Sequence, residues 1–413
     1  MTGAERVDVA VIGGGLAGAC LATRLASRGI EVVVLERSPS WRWHAAGVFS
    51  SPAAMDALRR VGVSEEVLAR VARPIPALRL ETPGGATVGL TYGHDRGGPP
   101  AIGFDRSALD PALLELARAA GADVRLGTTV TSVQLGGGRA PAMLTLRTGT
   151  GTTTVHARVV VGADGPNSIV AREAGVARPA RLATRVGLTH HLADPRADDE
   201  PVDGRMRILP DGYVGIAPVP SGRVNIGIVL GRSWRPRLAR EGAARVAASI
   251  EGTIPATPHD VAPWHGAATC DPIAGASPLG GRVTRRAGPG WFLVGDAAGF
   301  LDPFTGEGIH RALVSTELAA AAIRAALSER STAAAAAAAG DAYDRAMRRR
   351  FATKDAVTWL VQAFLARPVL FEYVARRLAT RGDVRGTISL VMGDLIPASR
   401  ALDPRFLAAV LAP

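Results

Sequence analysis

The chain has 413 residues, of which 47% are hydrophobic and 21% charged, a composition typical of a soluble globular protein with two or three domains. Its formal net charge is +11, but the 48 basic residues include a single lysine, and the dispersed arginines are not interleaved with aromatic residues. This pattern argues against a nucleic-acid or membrane-surface protein, and two cysteines exclude a disulfide framework or a cysteine zinc site.

The N-terminal segment predicts a β-α-β unit. Residues 7–13 and 31–36 are short apolar runs typical of buried parallel strands, and residues 15–28 between them predict a helix that ends at Gly29. The first apolar run leads into glycines rather than a cleavage site, and no run reaches 18 apolar residues. We therefore expect a cytoplasmic protein without a signal peptide or transmembrane segment.

A GxGxxG motif joins the first strand to the helix. Gly13 permits the tight turn, Gly15 lets the backbone approach a pyrophosphate, and Gly18 lets helix and strand pack closely. Glu36, 18 residues later at a strand end, would accept hydrogen bonds from ribose hydroxyls and disfavours a 2′-phosphate. The alternative is a tight turn without a ligand. The predicted dinucleotide contacts in this unit are Gly13, Gly15, Leu16, Ala17, Gly18, Glu36 and Arg37.

The next segments continue the α/β pattern. Residues 51–61 and 104–120 predict helices, the second of which ends at Gly121. Strands are predicted within 75–92, as a strand pair over 124–135, and over 155–165, where the strand runs into a tight turn.

The pattern changes at about residue 181. Turns recur, residues 205–230 predict three antiparallel strands, and residues 234–250 a helix. Residues 290–313 then predict a strand, a loop and a helix, and the tail from 314 is helical. We expect a Rossmann-type α/β domain with an inserted antiparallel sheet domain and a C-terminal helical segment. The predicted divisions are 1–75, 101–180 and 283–330 for the α/β domain, 76–100 and 181–282 for the sheet domain, and 331–413 for the helical segment.

Two later motifs resemble those of one superfamily. Residues 161–168 (VGADGPNS) resemble the DG motif of FAD-dependent monooxygenases of the para-hydroxybenzoate hydroxylase type, and residues 295–308 (GDAAGFLDPFTGEG) resemble their GD motif. The resemblance implies FAD as the cofactor, with the GD aspartate on the ribityl chain and the glycines beside the flavin pyrimidine. The residues it implies for FAD binding are Gly47, Arg106, Val130, Asp164, Gly295, Asp296, Pro303, Gly306, Gly308 and Ile309.

The second motif departs from the aromatic hydroxylases at Gly299, where they usually have histidine. It looks like the geranylgeranyl reductase branch instead, although the cysteine of that branch is absent beside Gly47 and its Tyr-x-Trp-x-Phe-Pro strand is only partly matched by residues 213–218. Halogenation is disfavoured because halogenases need a lysine beside the flavin tunnel. The single lysine, Lys354, lies in the C-terminal helices, and the Trp-x-Trp spacing at 41–43 is in the wrong place.

The resemblance implies an oxidoreductase that is reduced by transiently docked NADH or NADPH and then reacts with molecular oxygen. We expect a monooxygenase that acts on an apolar small molecule of secondary metabolism. The alternatives are a C=C reductase of geranylgeranyl reductase type and a non-redox cyclase with FAD as scaffold. The predicted substrate-lining residues are Val48, Tyr213 and Phe304. No catalytic side chain, histidine triad or metal site is indicated, and the oligomeric state is not predicted.

Overall fold

The computed structural model of the chain describes residues 5–92, 98–137, 140–179, 185–254, 267–328 and 332–411. Its strands are β1 (Glu5–Ile12), β2 (Val32–Leu35), β3 (Phe49–Ser50), β4 (Ala72–Ile75), β5 (Ala77–Glu81), β6 (Thr87–Thr91), β7 (Ala101–Phe104), β8 (Asp123–Arg125), β9 (Thr129–Gln134), β10 (Ala142–Thr148), β11 (Gly151–Gly162), β12 (Ala177–Arg178), β13 (Val186–Ala193), β14 (Gly204–Leu209), β15 (Gly212–Val219), β16 (Arg223–Leu230), β17 (Ala274–Ala276), β18 (Arg282–Val283), β19 (Ala287–Gly288) and β20 (Trp291–Leu293). Its α-helices are α1 (Leu16–Ala26), α2 (Ala53–Val61), α3 (Glu65–Val71), α4 (Arg106–Ala119), α5 (Ile169–Glu173), α6 (Arg235–Glu251), α7 (Gly308–Leu327), α8 (Ala333–Leu365), α9 (Pro368–Thr380), α10 (Gly382–Met392) and α11 (Pro404–Leu411).

An eight-stranded sheet carries the N-terminal unit. Its parallel part runs β20-β11-β1-β2-β8. Residues alternate between its faces because strand side chains have a period of two: Val9 and Val11 pack with helices α1, α7 and α8, whereas Ala10 and Ile12 pack on the opposite side with β10 and α5. A parallel sheet covered on both faces confirms the predicted Rossmann-type α/β fold.

The predicted strand pair over 124–135 is present as two strands that do not pair with each other. Strand β8 pairs in parallel with β2, whereas β9 pairs antiparallel with β10, a strand that the prediction omitted. Sequence periodicity indicates that a segment is extended, but the partner of a strand depends on long-range packing.

A second sheet has seven strands in the order β17-β13-β16-β15-β14-β5-β6. One face, with Val214 and Ile226, is covered by helix α6. The other face, with Tyr213 and Val229, is covered by helices α9, α10 and α11. Residues 205–230 form the three predicted antiparallel strands β14, β15 and β16. The C-terminal helices thus close one side of this sheet.

Helix α8 links the C-terminal helices to the first sheet. It begins in the Ala-rich stretch, and Tyr343, Met347 and Phe351 pack into the core beside α7. The Tyr343 hydroxyl donates a hydrogen bond to Leu293 O at 2.7 Å. Within the residues described, no helix combines the length and the apolar content that crossing a membrane requires.

Candidate active site

The GxGxxG loop joins β1 to α1 as predicted, and its glycines differ in their surroundings. Gly13 has φ of 102°, and a Cβ there would lie 2.5 Å from Ala163 O. A Cβ on Gly18 would lie 1.9 Å from Gly13 O, so this glycine is required for packing. Gly15 is the N-cap of α1, and a Cβ there would meet nothing within 4 Å. The loop therefore leaves open space at the helix N-terminus, where an anion would be stabilised.

Glu36 directly follows β2 and is half-buried. Its Oε2 accepts a hydrogen bond from Gly14 N at 2.8 Å, and its Oε1 accepts one from Ser38 N at 2.8 Å. These bonds fix the carboxylate beside the glycine loop. Each carboxylate oxygen has a second lone pair, so the group retains acceptor capacity for a hydroxyl. The neighbouring Arg37 is exposed.

Asp164 lies in the turn after β11, next to the glycine loop, because Ala163 N donates to Ile12 O at 2.8 Å. Its Oδ2 accepts from Ile169 N at 2.8 Å at the start of α5. The other oxygen, Oδ1, is buried and has no hydrogen-bond partner among the described residues. Burial raises the pKa of Asp164. An orphaned buried oxygen of this kind indicates a position where a ligand would supply the missing donor.

Asp296 stands in the short 3-10 turn that follows β20. Gly295 precedes it with φ of 58°, and a Cβ there would lie 2.8 Å from Ala17 Cβ. Asp296 is exposed to solvent and lines a cleft. The surrounding protein raises its pKa, against the opposing effect of Arg106 and Arg311. The residue thus presents a carboxylate to the interior of a concave site.

That cleft is partly open to solvent. It lies between the turn of Asp296, the N-terminus of α7 and helix α8. Six of its lining residues are Asp296, Phe300, Asp302, Glu307, Gly308 and Arg311. A Cβ on Gly308, the first residue of α7, would meet nothing within 4 Å. A second helix N-terminus therefore borders open space.

Arg106 begins helix α4 and is buried. Its guanidinium makes two hydrogen bonds to the Asp110 carboxylate, at 2.8 and 2.9 Å, and a third to Gly47 O at 2.8 Å. A bidentate pair of this kind has a fixed geometry. Arg106 thereby holds the segment around Gly47, where a Cβ would meet nothing within 4 Å.

The loop before α7 is anchored by Asp302, which the sequence did not single out. Its Oδ1 accepts from the Tyr213 hydroxyl at 2.6 Å, and its Oδ2 accepts from Arg185 at 2.5 Å. Burial, reinforced by Asp302, raises the pKa of Tyr213 well above its ordinary value. The Tyr213 and Phe304 rings meet edge to face, with centroids 5.0 Å apart. The seven-stranded sheet is thus joined to the loop.

The other residues predicted from the sequence lie as follows. Val48 is buried in an apolar cluster separate from the one that contains Tyr213 and Phe304, so the structure brings together two of the three predicted substrate-lining residues. Tyr213 is only 3% exposed.

Val130 is half-buried on β9, opposite Leu146. Leu16 and Ile309 are buried within the first turns of α1 and α7, Ala17 and Pro303 are half-buried, and a Cβ on Gly306 would lie 2.5 Å from the Phe49 ring.

A buried polar cluster, which we call the Lys354 cluster, comprises Ser51, Glu307, His310, Lys354 and Asp394. Lys354 Nζ donates to Val391 O at 2.6 Å and to Asp394 Oδ1 at 2.9 Å, and lies 3.2 Å from Glu307 Oε1. The other Asp394 oxygen contacts His310 Nδ1 at 3.0 Å and accepts from the Ser51 hydroxyl at 2.9 Å. The sequence offered two signs of it, the uniqueness of Lys354 and the acidic residue between two glycines at 307.

The adjacent histidines 190 and 191 each contact a carboxylate that lies outside the acidic run 194–200. His190 Nε2 lies 3.0 Å from Glu251 Oε1, and His191 Nδ1 lies 2.8 Å from Asp271 Oδ2. Burial lowers the pKa of His191, although Asp271 opposes the shift. In the part of the chain that the structure describes, no group of three histidine, cysteine or acidic side chains is arranged to hold a metal ion.

Comparison with known proteins gives consistent matches. The sequence profile of a family described as “FAD binding domain” matches residues 6–355. A menaquinone reductase of Mycolicibacterium smegmatis is 31% identical over 327 residues, which cover 76% of this chain and 76% of that protein. A digeranylgeranylglycerophospholipid reductase of Methanococcoides burtonii is 27% identical over 331 residues, which cover 77% of this chain and 76% of that protein.

The fold is also shared with solved structures. A flavoprotein/dehydrogenase from Cytophaga hutchinsonii superposes with a TM-score of 0.78 and covers 94% of this chain and 93% of its own. Its sequence identity is 20%, so this similarity concerns the fold alone.

Proposed function

The chain belongs to the FAD-binding domain family, and from this premise we propose that it is an FAD-dependent reductase of carbon–carbon double bonds in isoprenoid chains. The observation that carries the proposal is the 31% identity to a menaquinone reductase over 76% of both chains. The digeranylgeranylglycerophospholipid reductase supports the same reaction class. That this chain belongs to an FAD-dependent oxidoreductase family does not depend on which substrate it uses.

The described residues fit FAD. Open space lies at Gly15, Gly47 and Gly308, and we propose that the cofactor passes these three positions. Asp164 has a buried oxygen without a partner, and Asp296 presents its carboxylate to the cleft. We propose that α1 holds the pyrophosphate, Glu36 the adenosine ribose, and Asp296 the ribityl chain. The N-terminus of α7 would stabilise negative charge on the ring system.

Bound FAD supplies hydride transfer, and the protein supplies binding, orientation and exclusion of water. Arg106 contributes by holding the segment at Gly47 through a bond to its carbonyl oxygen. Asp302 contributes by fixing the loop before α7 against Tyr213 and Arg185. Helices α9, α10 and α11 pack apolar side chains on one face of the seven-stranded sheet, next to Phe304, and we propose that the isoprenoid binds beside this apolar cluster.

We propose NADH or NADPH as the electron donor. The sequence has one GxGxxG motif, which the proposed FAD site uses, so the donor would dock transiently rather than in a second site of this kind. The acidic residue at Glu36 disfavours a 2′-phosphate at the first site and sets no preference elsewhere.

Oxygenation, which the sequence placed first, receives less support from the named relatives than C=C reduction. Gly299 already distinguished the second motif from that of the aromatic hydroxylases. Halogenation remains disfavoured, because Lys354 is 3% exposed and its ammonium is held by Val391 O and Asp394. The cysteine of the geranylgeranyl reductase branch is absent beside Gly47, so the proton for the product would come from another group or from solvent.

Anaerobic turnover tests the proposal. We expect the purified, FAD-loaded protein, reduced under nitrogen with NADH, NADPH or dithionite, to add two hydrogens per double bond to menaquinone or to a digeranylgeranylglycerophospholipid. Mass spectrometry of the extracted lipid measures the gain, with a protein-free mixture of reduced FAD and lipid as the control. Product that forms only with oxygen, and contains an oxygen atom, would show that the protein is a monooxygenase. Product that forms without any reductant would favour the cyclase alternative.

A further inference from the structure

The Lys354 cluster joins four separated parts of the chain. Ser51 directly follows β3, Glu307 and His310 stand at the start of α7, Lys354 is on α8, and Asp394 follows α10. Asp394 adopts φ of 59°, a conformation that is unfavourable for a residue with a side chain. The strain is maintained by three side-chain contacts on its carboxylate. A buried lysine is stable only with such partners.

Glu307 links this cluster to the proposed flavin site. It is the N-cap residue of α7, precedes the open position at Gly308, and lines the same cleft as Asp296. Its side chain is 9% exposed. Although Lys354 Nζ lies 3.2 Å from Oε1, that oxygen has no aligned hydrogen-bond donor among the described residues. The carboxyl group is therefore buried, close to a cation, and free to carry a proton.

Burial and the neighbouring charges together bring the pKa of Glu307 close to neutral pH. Burial raises the pKa of Glu307 to about 7, with Lys354 and Arg311 opposing the shift and Asp394 adding to it. Burial acts in the same direction on Asp394, but the His310 hydrogen bond and the Lys354 charge outweigh it and hold the pKa of Asp394 well below its ordinary value. Asp394 thus stays ionised while Glu307 titrates. Asp302 and Asp355 line the same cleft.

We propose that Glu307 is the residue that takes up and releases the proton linked to flavin reduction, and that Lys354 and Asp394 are positioning residues that set its ionisation. The inference rests on the proposed FAD site. As a hydride passes from the nicotinamide donor to the flavin, Glu307 takes one proton from solvent. When the hydride leaves to the substrate double bond, Glu307 returns its proton to solvent, and the second carbon of the bond takes one proton from solvent.

The physical reason is repulsion between like charges. Negative charge that develops on the reduced ring system disfavours an ionised carboxylate in the same cleft, so reduction favours the protonated form of Glu307. By linkage, a group that binds a proton on reduction makes the flavin potential depend on pH. One proton changes the equilibrium constant tenfold per pH unit, which corresponds to about 30 mV for a two-electron couple.

The flavin potential at a series of pH values tests this coupling. We expect the midpoint potential of the FAD-loaded protein to fall as pH rises around neutrality. The slope should be steeper than that of Glu307→Gln by about 30 mV per pH unit. Lys354→Met should move the steep region to higher pH, because Lys354 lowers the pKa of Glu307. Asp394→Asn should move the steep region to lower pH. This variant is the alternative test if Lys354→Met does not fold.

Glu317→Gln is the matched control, since Glu317 lies on the same helix with its side chain 48% exposed. Its potential should follow that of the unmodified protein at every pH. Equal slopes for the unmodified protein and Glu307→Gln would overturn the inference. The measurement uses no lipid substrate, so a protein that reduces no isoprenoid but shows the coupling would refute the proposed function and leave this inference intact.

The apoprotein provides a second readout that does not involve the cofactor. Because folding raises the pKa of Glu307 from 4.5 to about 7, the folded state binds more protons between these values, and stability falls as pH rises through that window. Urea unfolding of the apoprotein at several pH values should show this fall relative to Glu307→Gln. Asp394 titrates below the window, and His191, whose effect has the opposite sign, is present in both proteins. A constant difference between the two proteins across pH 4.5–7 would contradict the assignment.

Discussion

Gly15→Ala is expected to leave the folded apoprotein unchanged and to weaken FAD binding by about tenfold or more, which is about 1.4 kcal/mol. Gly15 has φ of −70° and ψ of −177°, a conformation that alanine adopts readily. A Cβ there would meet no atom of the protein within 4 Å. The added methyl group would instead occupy the open space at the N-terminus of α1, where the pyrophosphate is proposed to lie.

Gly18→Ala is the matched substitution three residues further along the chain. A Cβ at Gly18 would lie 1.9 Å from Gly13 O, a backbone atom that cannot move without displacing β1 or α1. We expect this variant to lose about 3 kcal/mol of stability through overpacking. The same change of residue type thus affects binding at one position and folding at the other.

Two measurements separate these effects. Urea unfolding of the apoprotein gives stability, and quenching of flavin fluorescence on titration with FAD gives affinity. Gly15→Ala should match the unmodified protein in the first measurement and differ in the second. If Gly15→Ala bound FAD with unchanged affinity, the open space at α1 would not be the pyrophosphate site, and the proposed placement of the cofactor would have to be abandoned.

The N-terminal unit could be predicted from the sequence because its determinants are local. Gly13 and Gly18 are required by contacts within one turn and its neighbouring strand, and Glu36 follows a strand whose apolar residues are contiguous. The DG and GD motifs were recognised by resemblance. Their proximity to the glycine loop follows from the parallel order of β1, β11 and β20.

The Lys354 cluster could not be predicted in the same way. Ser51 and Asp394 are 343 residues apart in the chain, and their contact depends on how α8 and α10 pack against α7. No local pattern marks such a pair. The sequence did show that Lys354 is the only lysine in the chain, but this fact alone does not identify the carboxylates that hold it.

Asp302 presents the same difficulty, because its partners lie on other elements. Tyr213 on β15 was predicted to line the substrate site, and the structure places its hydroxyl on the Asp302 carboxylate. Arg185 lies just before β13 and also donates to Gln362 on α8 at 2.7 Å. The carboxylate of Asp302 therefore ties the seven-stranded sheet, helix α8 and the loop before α7 together.

Asp302→Ala is expected to destabilise the protein by about 3–5 kcal/mol, because it leaves the charge of Arg185 and the buried hydroxyl of Tyr213 without their carboxylate partner. Tyr213→Phe removes one neutral donor and should cost about 1 kcal/mol, since Arg185 and Phe304 N still occupy the carboxylate. Urea unfolding of the apoproteins measures both, and the double variant should lose less than the sum of the two because the residues share one bond. Strictly additive losses would mean that the Tyr213–Asp302 contact contributes nothing to joining the sheet to the loop before α7.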